Sequence, residues 1–143
     1  MRAAASPTAD ITICAAMAHK DKWVDVAKYL QSRGLCVGMP DVTEHTAWAA
    51  LTPVEITRQK GRYVRQHLAQ IARSKAILVC NYEKNGIQDY IGGNTFLEMG
   101  AAFIYNIPIY VLNAIPKLPY TDELLALAPI VLAGDLSRVP TNV

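Results

Sequence analysis

The stretch AILVCNYEKNGIQDYIGGNTFLEMGAAF, residues 76–103, decides the fold. Its opening, Ala76 to Tyr82 (AILVCNY), is the most apolar run of the chain and too short for a buried helix, so it reads as a strand covered on both faces. Residues 83–93 (EKNGIQDYIGG) gather turn formers around Tyr90 and Ile91 and read as a loop. Asn94 to Tyr105 is rich in small and apolar residues and reads as a helix that stops at Asn106. Strand, loop and helix in that order form half of a βαβ unit.

The same alternation extends in both directions. Asp10 to Ala16 (DITICAA) is β-branched and apolar, hence a buried strand. His19 to Arg33 carries Trp23, Val26, Ala27 and Leu30 at helical spacing, and Gly34 supplies a C-terminal stop. Leu35 to Met39 is a second short strand ended by Pro40, and residues 41–53 lack a period and read as a loop. Pro53 to Ser74 is a long helix with Ile56, Val64, Leu68, Ile71 and Ala72 on its apolar side, although Gly61 weakens its middle. Pro108 to Leu112, Asp122 to Leu127 and Ile130 to Leu132 complete the series as strand, helix and strand. Strands alternating with helices predict an α/β fold: a doubly wound, five-stranded parallel sheet of flavodoxin or Rossmann type. Right-handed crossovers favour the strand order 2-1-3-4-5. Ligands of such sheets bind beyond the carboxyl ends of the strands, at the switch between strands 1 and 3.

Composition agrees with this reading. The chain has 143 residues, 52% hydrophobic and 18% charged, which fits one packed domain and argues against disorder. The expected division is a flexible tail over residues 1–9 and a single domain over 10–143. A formal charge of +2 singles out neither nucleic acid nor membrane as a partner. No apolar run is long enough to span a bilayer, and MRAAASPTAD has no apolar signal core, so the expected location is cytoplasmic. Cys14, Cys36 and Cys80 are too scattered for a disulfide framework, and each lies in an apolar run that suggests burial. His19, His45 and His67 show no metal-ligand spacing with one another or with a cysteine, so no metal is expected.

Two segments would border the crevice. In IGGNTFLEMG, Gly92 and Gly93 allow close backbone approach to a ligand, and the helix start after them favours an anion. Glu98 would follow in the first turn or just beyond. It has two readings: a carboxylate available for attack on an anomeric carbon, or the partner of Thr95 in a capping box. The other segment, Ala15 to Lys20, could offer backbone N–H groups to a phosphate, but it has none of the glycines of a phosphate-binding loop. Lys20 and Lys22 read as a solvated helix side, and His19 as a helix-start residue. Arg58, Arg62 and Arg65 share one helix face within a run that also holds Lys60, Arg73 and Lys75; with no aromatic ladder beside them, they read as an ordinary basic face.

On the anchors ITICAAM, the run 76–103 and PIYVLN, the chain resembles the nucleoside 2-deoxyribosyltransferase superfamily, which includes deoxynucleoside 5′-monophosphate N-glycosidases. The resemblance covers nearly the whole chain. It implies that Glu98, in TFLEMGAA, is a nucleophile that attacks C1′ of a nucleoside or nucleotide. It implies substrate contacts from Ala15, Ala16, Met17, Asn81, Tyr82, Gly92, Gly93 and Asn94, with no cofactor and no metal. It also implies a homodimer or higher homo-oligomer, for which the surface from Phe103 to Tyr110 is a candidate. Three departures stand out. Where the family has Cys-Gly-Ser after its first strand, this chain has Cys14, Ala15 and Ala16; where transferases carry an Asp six positions before the Glu, it has Gly92; and Lys75 and Asn81 flank the third strand where many members carry acids. Asp89 is then the nearest acid that could handle protons on the base. The departures keep open a second reading, a nucleotide-binding module without catalysis.

Overall fold

The computed structural model describes residues 6–40 and 47–143. Five strands, β1 (Ala9–Cys14), β2 (Val37–Gly38), β3 (Ser74–Val79), β4 (Ile109–Val111) and β5 (Ile130–Val131), form one sheet in the order β2-β1-β3-β4-β5. Every pairing is parallel. Four helices connect them: α1 (Lys20–Ser32), α2 (Pro53–Ala72), α3 (Gly93–Ile104) and α4 (Thr121–Ala126). The fold class and strand order expected from the sequence are the ones observed. No described helix is long and apolar enough to cross a membrane.

The pleat sorts the strand side chains into two cores. Ile11, Ile13, Ala76, Leu78, Tyr110 and Leu112 face α1, packing with Trp23, Val26, Ala27 and Leu30. Cys14, Ile77, Val79, Ile109 and Val111 face the other way, against Ile71 of α2, Met99 and Ala102 of α3 and Leu124 of α4. This two-sided burial is why the strands are apolar without alternation. Trp23 is fully buried, and its indole N–H donates to the Ala16 carbonyl at 3.2 Å. That bond fixes the turn leaving β1.

Several boundaries differ from the sequence reading. β1 ends at Cys14, and Ala15 and Ala16 turn away toward a short 3-10 turn over Met17–His19. β2 shrinks to two residues. Its Gly38 lies so close to Thr12 and Gln70 that a Cβ there would collide with the Thr12 hydroxyl and crowd the Gln70 amide. α2 runs unbroken through Gly61, started by a capping box in which Thr52 and Glu55 bond each other's backbone N–H. Cys36 is exposed rather than buried. Of the expected tail, Thr8 and Ala9 already donate to the Arg73 carbonyl, and Ala9 belongs to β1, while residues 1–5 lie outside the described residues. So do residues 41–46 of the expected loop; Trp48–Ala50 after them form a 3-10 turn. Of the surface expected from Phe103 to Tyr110, Phe103 and Ile104 are exposed but Ile107, Ile109 and Tyr110 are buried.

Asp10 joins the starts of three strands. Its Oδ2 accepts from the Cys36 N–H at 2.8 Å and its Oδ1 pairs with Lys75 Nζ at 3.0 Å. The Cys36 N–H first, and then Lys75, hold the Asp10 carboxyl below its usual range. Folding therefore favours the ionised form. That contribution is complete above the unfolded value of about 3.9 and is lost as pH falls through the lower folded value. Asp10→Asn is expected to flatten the loss of stability below about pH 4, read as urea midpoints across an acid pH series. Gly38→Ala is expected to cost about 1–3 kcal/mol through overpacking against Thr12 and Gln70, measured by thermal or urea unfolding.

Candidate functional site

A cavity of about 910 Å³ opens beyond the carboxyl ends of β1 and β3, at the switch point of the sheet. Its walls are the turn after β1 (Ala15 to His19), the inner side of α2, the loop after β3 and the start of α3. Its size suits a nucleotide-scale ligand.

Among the described residues that line it, Glu98 is the sole carboxylate. α3 begins at Gly93 with Gly92 as N-cap and no side-chain cap, so Glu98 lies in the second turn and Thr95 is not a cap. The capping-box reading of Glu98 is thereby overturned. The glycine pair moved the start upstream because Gly92 adopts the extended N-cap conformation. Glu98 instead reaches across to α2, where its Oε1 meets His67 Nδ1 at 2.8 Å. An ionised carboxylate only accepts, so Nδ1 carries the hydrogen whenever Glu98 is ionised. Both side chains are largely covered, 15% exposed for His67 and 14% for Glu98. Cys14 completes the group from the end of β1. Burial foremost, and the adjacent Glu98 charge, push its thiol well above the usual range, so it stays protonated. Cys80 on the opposite sheet face is likewise pushed up to about 12 by burial, which leaves it an inert thiol.

Most residues expected at the site do line the cavity: Ala15, Ala16, Met17, Tyr82, Gly92, Gly93, Asn94 and Glu98. Asn81 and Asp89 are not among the lining residues. Asn81 is buried, and its amide donates to the carbonyls of Asp89 and Ala114 at 3.1 and 2.9 Å while its Oδ1 accepts from the Asn113 N–H. It clasps two loops rather than offering donors to a sugar. Asp89 stands in a left-handed turn (φ 57°), and its backbone carbonyl is what Asn81 holds.

The structure adds residues that sequence reasoning missed. Trp48, Lys60, Tyr63 and His67 enter from the segment before α2 and from α2 itself. One signal was available: His67 is a polar residue between Val64 and Ile71 on the apolar side of an amphipathic helix. Lys60 lies over the Trp48 ring at 4.6 Å and Lys84 over Tyr90 at 5.9 Å. His19 and Tyr82 meet edge to face at 5.3 Å, and His19 Nε2 is buried with no hydrogen-bond partner among the described residues. Tyr82 is kept a neutral hydroxyl, chiefly by burial. The cavity therefore offers aromatic rings, two lysines and an uncapped helix start to its ligand, with one carboxylate at its floor. That combination fits a flat, anionic molecule.

Compared with family models, curated proteins and solved structures, the chain matches none.

A double-mutant cycle over His67→Ala and Glu98→Ala is expected to give a coupling energy of about 1–3 kcal/mol, the range for a covered, charge-assisted hydrogen bond. Urea unfolding of the two single variants and the double variant measures it. Additive effects would show that the two side chains do not support each other.

Proposed function

We propose that the protein cleaves or exchanges the N-glycosidic bond of a nucleoside, a 2′-deoxynucleoside or their 5′-monophosphates. The observation that carries this reading is the Glu98 carboxylate. Among the described lining residues it is the single acid of an aromatic, cationic cavity at the switch point, held by His67. The resemblance over residues 76–103 supports the same role for it.

In this mechanism one Glu98 oxygen attacks C1′ of the sugar. The C1′–N bond breaks, and the base leaves with the bonding pair and takes up a proton. Glu98 becomes a glycosyl ester. Water then attacks C1′, loses a proton and frees the sugar, or a second base does so in a transfer. Two displacements retain the configuration at C1′. His67 is a positioning residue: its bond to Oε1 fixes the carboxylate and leaves Oε2, which is buried without a partner among the described residues, as the oxygen for the attack. Tyr82 and Tyr90 offer rings against the base, and Tyr82, as a neutral hydroxyl, and His19 offer a proton or a hydrogen bond to it. Lys60, Lys84 and the start of α3 would receive a 5′-phosphate.

A homo-oligomer and a cytoplasmic location belong to the same proposal. Leu97, Phe103 and Ile104, all exposed on α3, support the first. A second functional reading, a nucleotide-binding module without turnover, draws on Ala15 and Ala16 and on the place of Asp89 outside the cavity wall.

Intact-protein mass spectrometry during incubation with a panel of nucleosides and 5′-monophosphates separates the readings. The expected result is free base in solution and a sugar-sized adduct on the wild-type chain, both absent in Glu98→Ala. Base release that persists in Glu98→Ala would remove Glu98 from the nucleophile role. Binding without release from any substrate would establish the module.

A further inference from the structure

Three ligand-type atoms converge where His67 and Glu98 line the cavity. Cys14 Sγ, a ring nitrogen of His67 and a carboxylate oxygen of Glu98 all lie within 4.8 Å of one another. Among the described residues, no other group of three such side chains does so. They come from three different elements, β1, α2 and α3, so the sheet and helix packing presets their spacing. Two atoms of the group, His67 Nε2 and Glu98 Oε2, are buried with no hydrogen-bond partner among the described residues. Polar atoms in that condition call for a further partner.

The donor set is one sulfur, one imidazole nitrogen and one carboxylate oxygen. Magnesium and calcium prefer oxygen alone, whereas zinc accepts all three donors in tetrahedral geometry. Ligand atoms of a tetrahedral zinc site lie about 3.3–3.8 Å apart, so the group needs only a modest contraction. A fourth position would face the cavity and could take water.

We propose that Cys14, His67 and Glu98 form a zinc site, and that zinc bound there holds the protein in an inactive state. On binding, the Cys14 thiol gives its proton to water, the His67–Glu98 hydrogen bond opens, and the Nδ1 hydrogen passes through water to Nε2, which leaves Nδ1 free to ligate. The binding half stands on the geometry alone. The inhibitory half rests on the proposed role of Glu98, because a carboxylate oxygen that coordinates zinc is not free to attack C1′.

The test titrates the chelator-stripped protein with Zn²⁺ against a competing chromophoric chelator, without substrate. The wild-type chain is expected to bind one ion. Cys14→Ser and Glu98→Gln are each expected to weaken binding by roughly 100-fold, the upper end of what losing even an outer-shell partner costs. Cys36→Ser, at an exposed cysteine away from the group, is expected to leave it unchanged. Co²⁺ in place of Zn²⁺ should give a thiolate-to-metal absorption band that Cys14→Ser abolishes and Cys36→Ser retains. Circular dichroism establishes that each variant is folded, and Glu98→Gln serves if Cys14→Ser is not. Failure of the wild type to bind one ion would overturn the proposal. So would equal binding by a folded Cys14→Ser or Glu98→Gln variant, or loss of the ion in Cys36→Ser. Base release, where the substrate panel shows it, should stop with one equivalent of Zn²⁺ and return on chelation. Release that continues with zinc bound would overturn the inhibitory half alone.

Discussion

Strands β1 and β3 lie side by side from Ala9↔Ser74 to Cys14↔Val79, and the chain leaves them toward opposite faces of the sheet. That divergence is the constraint on which the site depends. Neighbouring connections that depart in opposite directions cannot cover the strand ends, so a crevice is left there. The turn after β1 is held down by the Trp23 indole, and the loop after β3 by the Asn81 amide. Both anchors use fully or almost fully buried side chains. Each satisfies backbone groups that would otherwise be stranded next to the cavity. The walls are therefore fixed by the same interactions that complete the two cores.

Against this frame, the Glu98–His67 bond ties α2 to α3 across the cavity floor. A carboxylate this well covered gains from a hydrogen-bond partner, and a single imidazole supplies one while occupying only one oxygen. Cys14 lies beside the pair as a protonated thiol. The remaining oxygen, Oε2, is buried and has no hydrogen-bond partner among the described residues. The aromatic and lysine groups above it set which ligand can approach.

The fold was legible because each layer wrote its own period into the chain. The fully buried run Ile11 to Cys14, polar only at Thr12, and the apolar run Ala76 to Val79 mark strands buried on both faces, and Trp23, Val26, Ala27 and Leu30 mark a helix that covers one of those faces. Glu98 was legible as a lone acid after two glycines. What escaped is tertiary. Thr95 and Glu98 have a capping pattern, yet Gly92 takes the cap and frees both side chains. His67 is 31 residues from Glu98, and no local rule joins a helix residue to a partner on another helix. Asn81 looked like a donor to ligand because strand ends often are; its amide is instead consumed by Asp89 and Ala114, and the latter is 33 residues away. Composition reports that a polar group is present and leaves its partner undetermined.

The absence of a linear ligand spacing around Cys14 and His67 has the same origin. Spacing rules detect sites whose ligands share one hairpin or one helix turn. Here β1, α2 and α3 each contribute one side chain, and parallel pairing of β1 with β3 brings them together only in the folded chain. Such a group has chemistry in two directions. With its hydrogen bond closed, His67 positions the carboxylate for the proposed attack on a sugar. With that bond open, the same atoms would present sulfur, nitrogen and oxygen to the proposed zinc ion. Both proposed uses draw on Glu98 and exclude each other, so the balance between them would depend on how tightly His67 holds the carboxylate. A stronger His67–Glu98 bond favours the free nucleophile, and whatever weakens that bond favours the metal.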